Sequence, residues 1–303
     1  MPTKNKGVEL CSLNEWSSLS DFIASLGASK SSQKKLIENK SLLKRNVVKK
    51  QYLELPIDLL NKNMVFYKYE GSEPRLIKQN NYFLALSKPV KVHSLPLCYS
   101  DPDNLLSYIR DKEISAEVLN INANSYERGL LYRLDYDTSG LVLFAKNQDF
   151  YQSFRHKMQK NKYYLAVVQG EIEDDFSFAH HISYYGKKGA IGRASDGPTK
   201  NASLEGKKII YDSATGLGLV LLRLNEGLRH QLRIQLSHEN YPIFGDPIYG
   251  NTKHNRMLLH AFCYEFNYLG CNYRVKDENV KDLEVVFNSN RVLQMANEAL
   301  LSF

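Results

Sequence analysis

The sequence contains no CxxC pair, no apolar run of membrane-spanning length and no internal repeat of fixed period. Its four cysteines, Cys11, Cys98, Cys263 and Cys271, are scattered. Neither a zinc ribbon nor a dithiol redox pair is suggested, and free thiols of this kind fit a reducing cytoplasm. A membrane-crossing helix needs about 20 apolar residues, and none is available. The opening stretch MPTKNKGVEL lacks the apolar centre and cleavage pattern of a signal peptide. The sequon at Asn201-Ala202-Ser203 is therefore read as accidental. Clusters of carboxylate and histidine at ligand spacing are also missing. His180-His181 reads as a surface pair and His238 as a helix terminus, which disfavours a metal-dependent nuclease or hydrolase. The expectation is a cytoplasmic protein with no membrane partner and no metal.

What the chain does carry is an excess of positive charge, +7 over 303 residues. That balance favours an anionic partner but does not name one. Residues 1–66 read as a small separate unit. LSDFIASLG and SSQKKLIENK form two short helices, the first with Leu19, Phe22, Ile23 and Leu26 on one face. Ser31 or Ser32 caps the second, which buries Leu36 and Ile37 and exposes Lys34 and Lys35. SLLKRNVVKKQYLELP alternates like a hairpin turning at Arg45-Asn46, with Lys44, Arg45, Lys49 and Lys50 at its tips. A unit with one basic side is a candidate nucleic-acid reader; an ordinary solvated face is the alternative.

Residues 67–75 are polar with Gly71 and Pro74 and read as a linker, so 76–303 is the main domain. Its elements begin with a strand at YFLALSKP. A helix over NLLSYIRDK follows, started by Asp101-Pro102, and then a helix over NQDFYQSFRHKMQKN. KYYLAVVQGEI and GLGLVLLRL are buried strands, and MLLHAFCYEFNYL closes the sheet. Residues 183–208 read as a long basic loop or loose hairpin. Strands joined mainly by loops, with a few helices, indicate an α+β fold.

The most informative stretch is LLYRLDYDTSGLVLFAKN, Leu130 to Asn147. Three charged residues, Arg133, Asp135 and Asp137, stand at the mouth of an apolar strand. If RLD is extended, Leu134 packs inward while Arg133 and Asp135 face a cleft. The turn DTSG aims them, with Thr138 and Ser139 bonding the local backbone. A carboxylate so held can act as nucleophile or general base. It can equally be half of an ion pair that only ties two elements together. Acting at neutral pH it must be ionised, and burial opposes ionisation, so a cation is required beside it. NEGLRHQLRIQLSHENYPIFGDPIYG supplies a candidate. A helix beginning at Gly227 places Leu228, Leu232 and Leu236 toward the core, with Arg229 and Arg233 in a stripe alongside, and ends at Asn240 and Pro242.

Taken in order, these segments resemble the RluA-type pseudouridine synthases. YRLDYDTSGLVLFAKN is similar to the family's H-R-L-D-x-x-T-S-G-L-L-x-x-A-K signature. LALSKPVKVH resembles its opening N-K-P strand, and KYYLAVVQGEI its K-x-Y-x-A-x-V-x-G motif. GLRHQLRIQLSHENYPIFGDPIYG resembles its G-R-T-H-Q-I-R segment and the turn that follows, and MLLHAFCYEF its last core strand. The likeness covers residues 75 to 270. It implies a mixed, mainly antiparallel sheet with flanking helices around a central cleft. More faintly, residues 1–66 resemble the RNA-binding module named after ribosomal protein S-four.

The resemblance further implies isomerisation of uridine to pseudouridine in RNA, without cofactor or metal. Asp135 falls on the catalytic aspartate, acting at the sugar either on the anomeric carbon or on the neighbouring proton. Arg233 falls on its basic partner. Tyr164 falls on the tyrosine that stacks on the uracil and takes part in proton removal at carbon 5. Arg133 falls on the residue associated with base flipping; Arg229 and Lys162 are further substrate contacts. Large-subunit ribosomal RNA is the expected target, transfer RNA the alternative, and the chain is expected to be a monomer. A catalytically weak ribosome-assembly factor on the same fold is the competing reading. The chain departs from the motifs at Tyr132, Leu228-Arg229, Gln235, Tyr241 and Asn267-Tyr268.

Overall fold

A computed structural model describes residues 7–12, 15–25, 28–56, 68–97, 101–122, 127–186, 191–224 and 227–303. The chain divides into two compact units. One joins Met1–Glu73 with Val92–Gly129, the other Pro74–Lys91 with Leu130–Phe303.

In the first unit, β1 (Gly7–Cys11) pairs antiparallel with β2 (Tyr52–Pro56). Between them in sequence come α1 (Leu19–Ser25) and α2 (Lys30–Leu36). α1 buries Leu19, Phe22 and Ile23, the stripe its spacing predicts; Leu26 lies outside the described residues. The cap of α2 is Ser29, not Ser31 or Ser32: its hydroxyl accepts from the Ser32 amide at 3.1 Å. Ile37 is buried as expected, but Leu36 is only half-buried and Gln33 takes the inward position. The Gln33 amide donates to the carbonyls of Ser20 and Ala28, both at 3.2 Å, so a satisfied polar side chain bonds the two helices.

The hairpin expected over residues 41–56 is absent. Asn39 caps a 3-10 turn over Lys40–Lys44, Val47 bridges back to Trp16, and β2 leaves to join β1. Alternation along a segment does not choose its partner; here the partner strand comes from more than 40 residues earlier in the chain, as the register Leu10↔Leu53 shows. Lys34, Lys35, Lys44, Arg45, Lys49 and Lys50 are all exposed. Helix α3 (Leu105–Asp111) starts later than the Asp-Pro signal suggests. Asn104 caps it, accepting from the Ser107 amide at 3.0 Å, while Asp101 binds the amides of Leu97 and Asp103.

The second unit is built on one ten-stranded sheet. Its strands are β3 (Arg75–Gln79), β4 (Phe83–Lys88), β5 (Ser139–Ala145), β6 (Lys160–Gln169), β7 (Asp175–Tyr185), β8 (Ile191–Ser195), β9 (Ala202–Asp212), β10 (Leu217–Leu224), β11 (Leu259–Tyr268) and β12 (Cys271–Lys276). They run in the order β3-β4-β5-β11-β6-β10-β9-β7-β8, with β12 added on β11. Every pairing is antiparallel except β5 with β11. The architecture is therefore the expected α+β class: a mixed, mainly antiparallel sheet with helices on its faces.

One expectation needs correction here. MLLHAFCYEFNYL does not close the sheet but supplies its centre, since β11 lies between β5 and β6. Of the two readings offered for residues 183–208, the hairpin is the one the structure shows: the end of β7 pairs antiparallel with β8, and the start of β9 follows from Ala202. Gly192 in β8 makes room for a neighbouring side chain: a Cβ there would sit 2.2 Å from Cδ1 of Ile234. Ile234 belongs to α5 (Gln231–His238), which packs through Ile234 against Ile182 of β7, Ala194 of β8 and Ala202 of β9.

Alternation along β6 sets which face does what. Tyr163, Leu165 and Val167 pack with β10 and β11 under α6 (Lys281–Val286) and α7 (Val292–Leu301), through Leu283, Val292, Ala296 and Leu300. Tyr164 is consequently turned to the opposite face. α4 (Gln148–His156), capped by Asn147, buries Phe150 and Phe154 against Phe83 and Phe266. Among the described residues, no helix is long and apolar enough to cross a membrane.

Candidate active site

The segment before β5 is extended, as the RLD spacing predicts. Leu134 is buried, Arg133 is exposed and Asp135 is half-buried. Its position is fixed at the strand mouth. Gly140 adopts φ +113°, and a Cβ there would lie 2.3 Å from the carbonyl oxygen of Ala261. Only glycine lets β5 approach β11 this closely. The preceding Ser139 does not bond its local backbone. It bonds the far strand instead, with Nδ1 of His260 at 3.0 Å and a donated bond from Arg256 Nη2 at 3.0 Å. The DTSG turn is held locally by the Thr138 amide, which donates to the Asp135 carbonyl at 3.1 Å.

Arg233 reaches Asp135 from α5. Its Nη1 donates to Oδ2 of Asp135 at 3.0 Å. The rest of the guanidinium is clamped by Asp246: Nε donates to Oδ2 at 2.7 Å and Nη2 to Oδ1 at 2.8 Å. Asp246 is fully buried and also accepts from the amides of Ile248 and Tyr249, at 2.8 and 3.0 Å. Burial opposes the charge on both partners, yet the pairing wins: the Arg233 pKa is raised and the Asp246 carboxyl lowered. A fork held on one edge by a buried carboxylate presents its remaining Nη1 in one direction, toward Asp135. The Tyr249 ring covers the guanidinium, 5.2 Å from its carbon.

His230 adds a second contact. It sits at the start of α5 in the left-handed region, φ 55°, with Nε2 3.6 Å from Oδ2 of Asp135 and Nδ1 3.0 Å from the Tyr249 hydroxyl. Burial lowers its pKa despite the adjacent carboxylate, which favours the neutral imidazole. Lys88, at the end of β4, is also buried. It donates to the Pro89 carbonyl at 2.9 Å, and desolvation lowers its pKa to about 7 against the pull of Asp135 and Asp137. Tyr164 is buried on the same face of β6. Burial raises its phenol to about 12, the negative charge of Asp135 adds to the rise, and the adjacent Tyr264 hydroxyl opposes it.

The sequence-predicted residues are thus not treated alike. Arg233 and Asp135 are in contact, and Tyr164 senses the charge of Asp135. Arg133 is exposed beside them. Arg229 is not in a helical stripe with Arg233, because α5 begins at Gln231. Arg229 is exposed, and its carbonyl accepts from the Tyr184 hydroxyl at 2.9 Å. Lys162 is buried, its ammonium 4.1 Å from the centre of the Tyr132 ring, so it faces an aromatic surface and not solvent. The sequence reading missed Asp246, His230 and Lys88. Asp246 was visible only as the polar member of FGDPIYG; nothing in its spacing tied it to Arg233.

Residues 82–238 match the family described as RNA pseudouridylate synthase. The chain belongs to that family. Among pseudouridine synthases of known sequence, it is 28% identical over 209 residues to ribosomal large subunit pseudouridine synthase D of Borreliella burgdorferi, covering 63% of this chain and 60% of that protein. It is 30% identical to an uncharacterised RNA pseudouridine synthase of Mycoplasma capricolum, covering 78% and 82%. A tRNA pseudouridine synthase C of Vibrio vulnificus is 28% identical, covering 62% and 78%. The fold is shared with the solved human RNA pseudouridylate synthase domain containing 1, at TM-score 0.55 and 21% identity over 69% of this chain and 84% of that one.

Proposed function

We propose that this chain converts uridine to pseudouridine in RNA, with Asp135 as the group that acts at the ribose. The observation that carries the reading is the Asp246–Arg233–Asp135 relay. A half-exposed carboxylate is held at 3.0 Å by a guanidinium that a buried carboxylate locks in place. Such a carboxylate is positioned without being consumed in a closed ion pair, because Arg233 already has its own buried partner. Tyr164 carries a protonated phenol at pH 7, which favours stacking on the uracil and proton exchange through its hydroxyl over action as a free phenolate. Arg133, exposed beside Asp135, is the residue to fill the space left by a flipped base, offsetting part of the unstacking cost. Arg229, exposed just before α5, is the proposed contact to the RNA backbone. Lys162 acts indirectly, by holding the Tyr132 ring.

We assign residues 1–66 as an RNA-binding module of the S-four kind, 67–75 as its linker and 76–303 as the catalytic domain. Large-subunit ribosomal RNA is the proposed target and transfer RNA the second, since relatives named for each are comparably similar. The enzyme is proposed to work as a cytoplasmic monomer without cofactor. The test is a pseudouridine map of total RNA from a host lacking the gene, complemented with wild type or Asp135→Asn. Defined uridines should lose the modification and regain it only with wild type, while purified Asp135→Asn still binds the target RNA. Sites restored equally by both chains would remove Asp135 from the chemistry; no site affected at all would favour a non-catalytic assembly factor.

A further inference from the structure

His180, expected at the surface, is buried to 2% exposure on β7. Three other donors converge on it from different elements. Glu239, just past the end of α5, places Oε1 2.7 Å from His180 Nε2. Asp196, just past β8, places Oδ1 3.6 Å from the same nitrogen. His238, the last residue of α5, places Nε2 3.4 Å from Oδ2 of Asp196, and the two imidazoles meet edge to face at 4.8 Å. The four ligand atoms lie within 4.8 Å of one another. Tetrahedral zinc with bonds of 2.0–2.1 Å sets its donors about 3.3 Å apart. The cluster is therefore at ligand spacing after shifts of side chains that are, apart from His180, partly or fully exposed.

A second observation concerns Gln235, which is completely buried behind His180. Its Nε2 lies 3.1 Å from His180 Nδ1 and 3.4 Å from the Ala202 carbonyl, while its Oε1 has no hydrogen-bond partner among the described residues. In this arrangement the amide donates to Nδ1, and His180 donates from Nε2 to Glu239. Turning the amide over exchanges the roles. Oε1 then accepts from Nδ1–H, Nε2 is left with its lone pair facing Asp196, His238 and Glu239, and the long bond to Ala202 is given up. A histidine whose far nitrogen donates to a buried carbonyl oxygen is the arrangement that metal-ligating histidines adopt.

We propose that His180, Asp196, His238 and Glu239 form a structural site for a zinc-class divalent ion, with Gln235 orienting His180 from behind. Two imidazoles and two carboxylates suit zinc better than magnesium, which prefers all-oxygen surroundings. The ion would clamp the C-terminal end of α5 to β7 and to the β8–β9 connection. It has no part in the chemistry at Asp135, and the site stands whether or not the chain modifies RNA.

The test uses the full chain without an affinity tag, titrated with Zn²⁺ against a chromophoric chelator. Asp196→Asn and His238→Gln serve as variants because both side chains reach solvent and neither is in the core. Wild type should take up one Zn²⁺ per chain, with a melting temperature that rises with Zn²⁺ and not with Mg²⁺. Each variant should bind at least about 10- to 100-fold more weakly. Nitrogen-15 spectra should show His180 moving from the Nε2–H to the Nδ1–H tautomer on loading. Wild-type binding no tighter than that of His238→Gln, or a His180 tautomer unmoved by Zn²⁺, would overturn the proposal.

Discussion

At the scale of single residues, the decisive arrangement is the asymmetry of Arg233. One edge of its guanidinium is spent on a fully buried carboxylate, and one nitrogen is left for a carboxylate that reaches solvent. Replacing Arg233 with Met leaves Asp246 buried without a counter-charge. Breaking a buried pair in this way costs about 3–5 kcal/mol. Urea unfolding of Arg233→Met should show that loss, together with the loss of pseudouridine formation. A stability within about 1 kcal/mol of wild type would mean that Asp246 is neutralised by other means. The double variant Arg233→Met/Asp246→Leu should recover much of the stability, since the uncompensated charge is then gone, and none of the activity. That split separates the fold's need for the pair from the reaction's need for the guanidinium.

At the scale of elements, the close contact of β5 with β11 is the joint on which the site depends. Gly140→Ala puts a methyl group against the Ala261 carbonyl at a backbone angle that L-residues avoid. Overpacking of this kind costs about 1–3 kcal/mol, and the positive φ adds to it. Thermal unfolding should register a loss at least that large, with Asp135 displaced and turnover reduced; an unchanged melting temperature would mean the strands can separate at no cost. The same joint shows what was legible in the sequence. Leu134 in and its neighbours out followed from alternation, whereas the strands at 83–88, 160–169 and 217–224 followed from short apolar runs, and they are buried almost throughout. The bond from Ser139 to His260 did not, because it joins residues 121 apart. Nor did Asp246, whose partner is chosen by the fold and not by spacing. The hairpin expected at 41–56 and the one found at 183–195 show one rule from two sides: composition reports local preference, whereas β-pairing is decided by which strands meet. β12, α6 and α7 went unread, although α6 and α7 cover the inner face of β6, β10 and β11.

For the whole molecule, the exposed lysines of the first unit are the feature to test in solution. Changing Lys34, Lys35, Lys44, Lys49 and Lys50 to Gln should weaken RNA binding and flatten its dependence on salt, by about one unit of slope for each phosphate contact removed. An unchanged slope would show that these lysines do not meet phosphate. The central place of β11 has another consequence, for how the protein comes into being. Asp135, Tyr164 and Arg233 are all synthesised before the first residue of β11. Yet β11 is the strand that stands between β5, which the Asp135 segment leads into, and β6, which carries Tyr164. A nascent chain holding every proposed catalytic side chain has no means of bringing them together until that strand is added. Loop closures of this length are slow to form. The growing chain therefore holds the parts of the proposed site well before it holds the strand that sets them side by side.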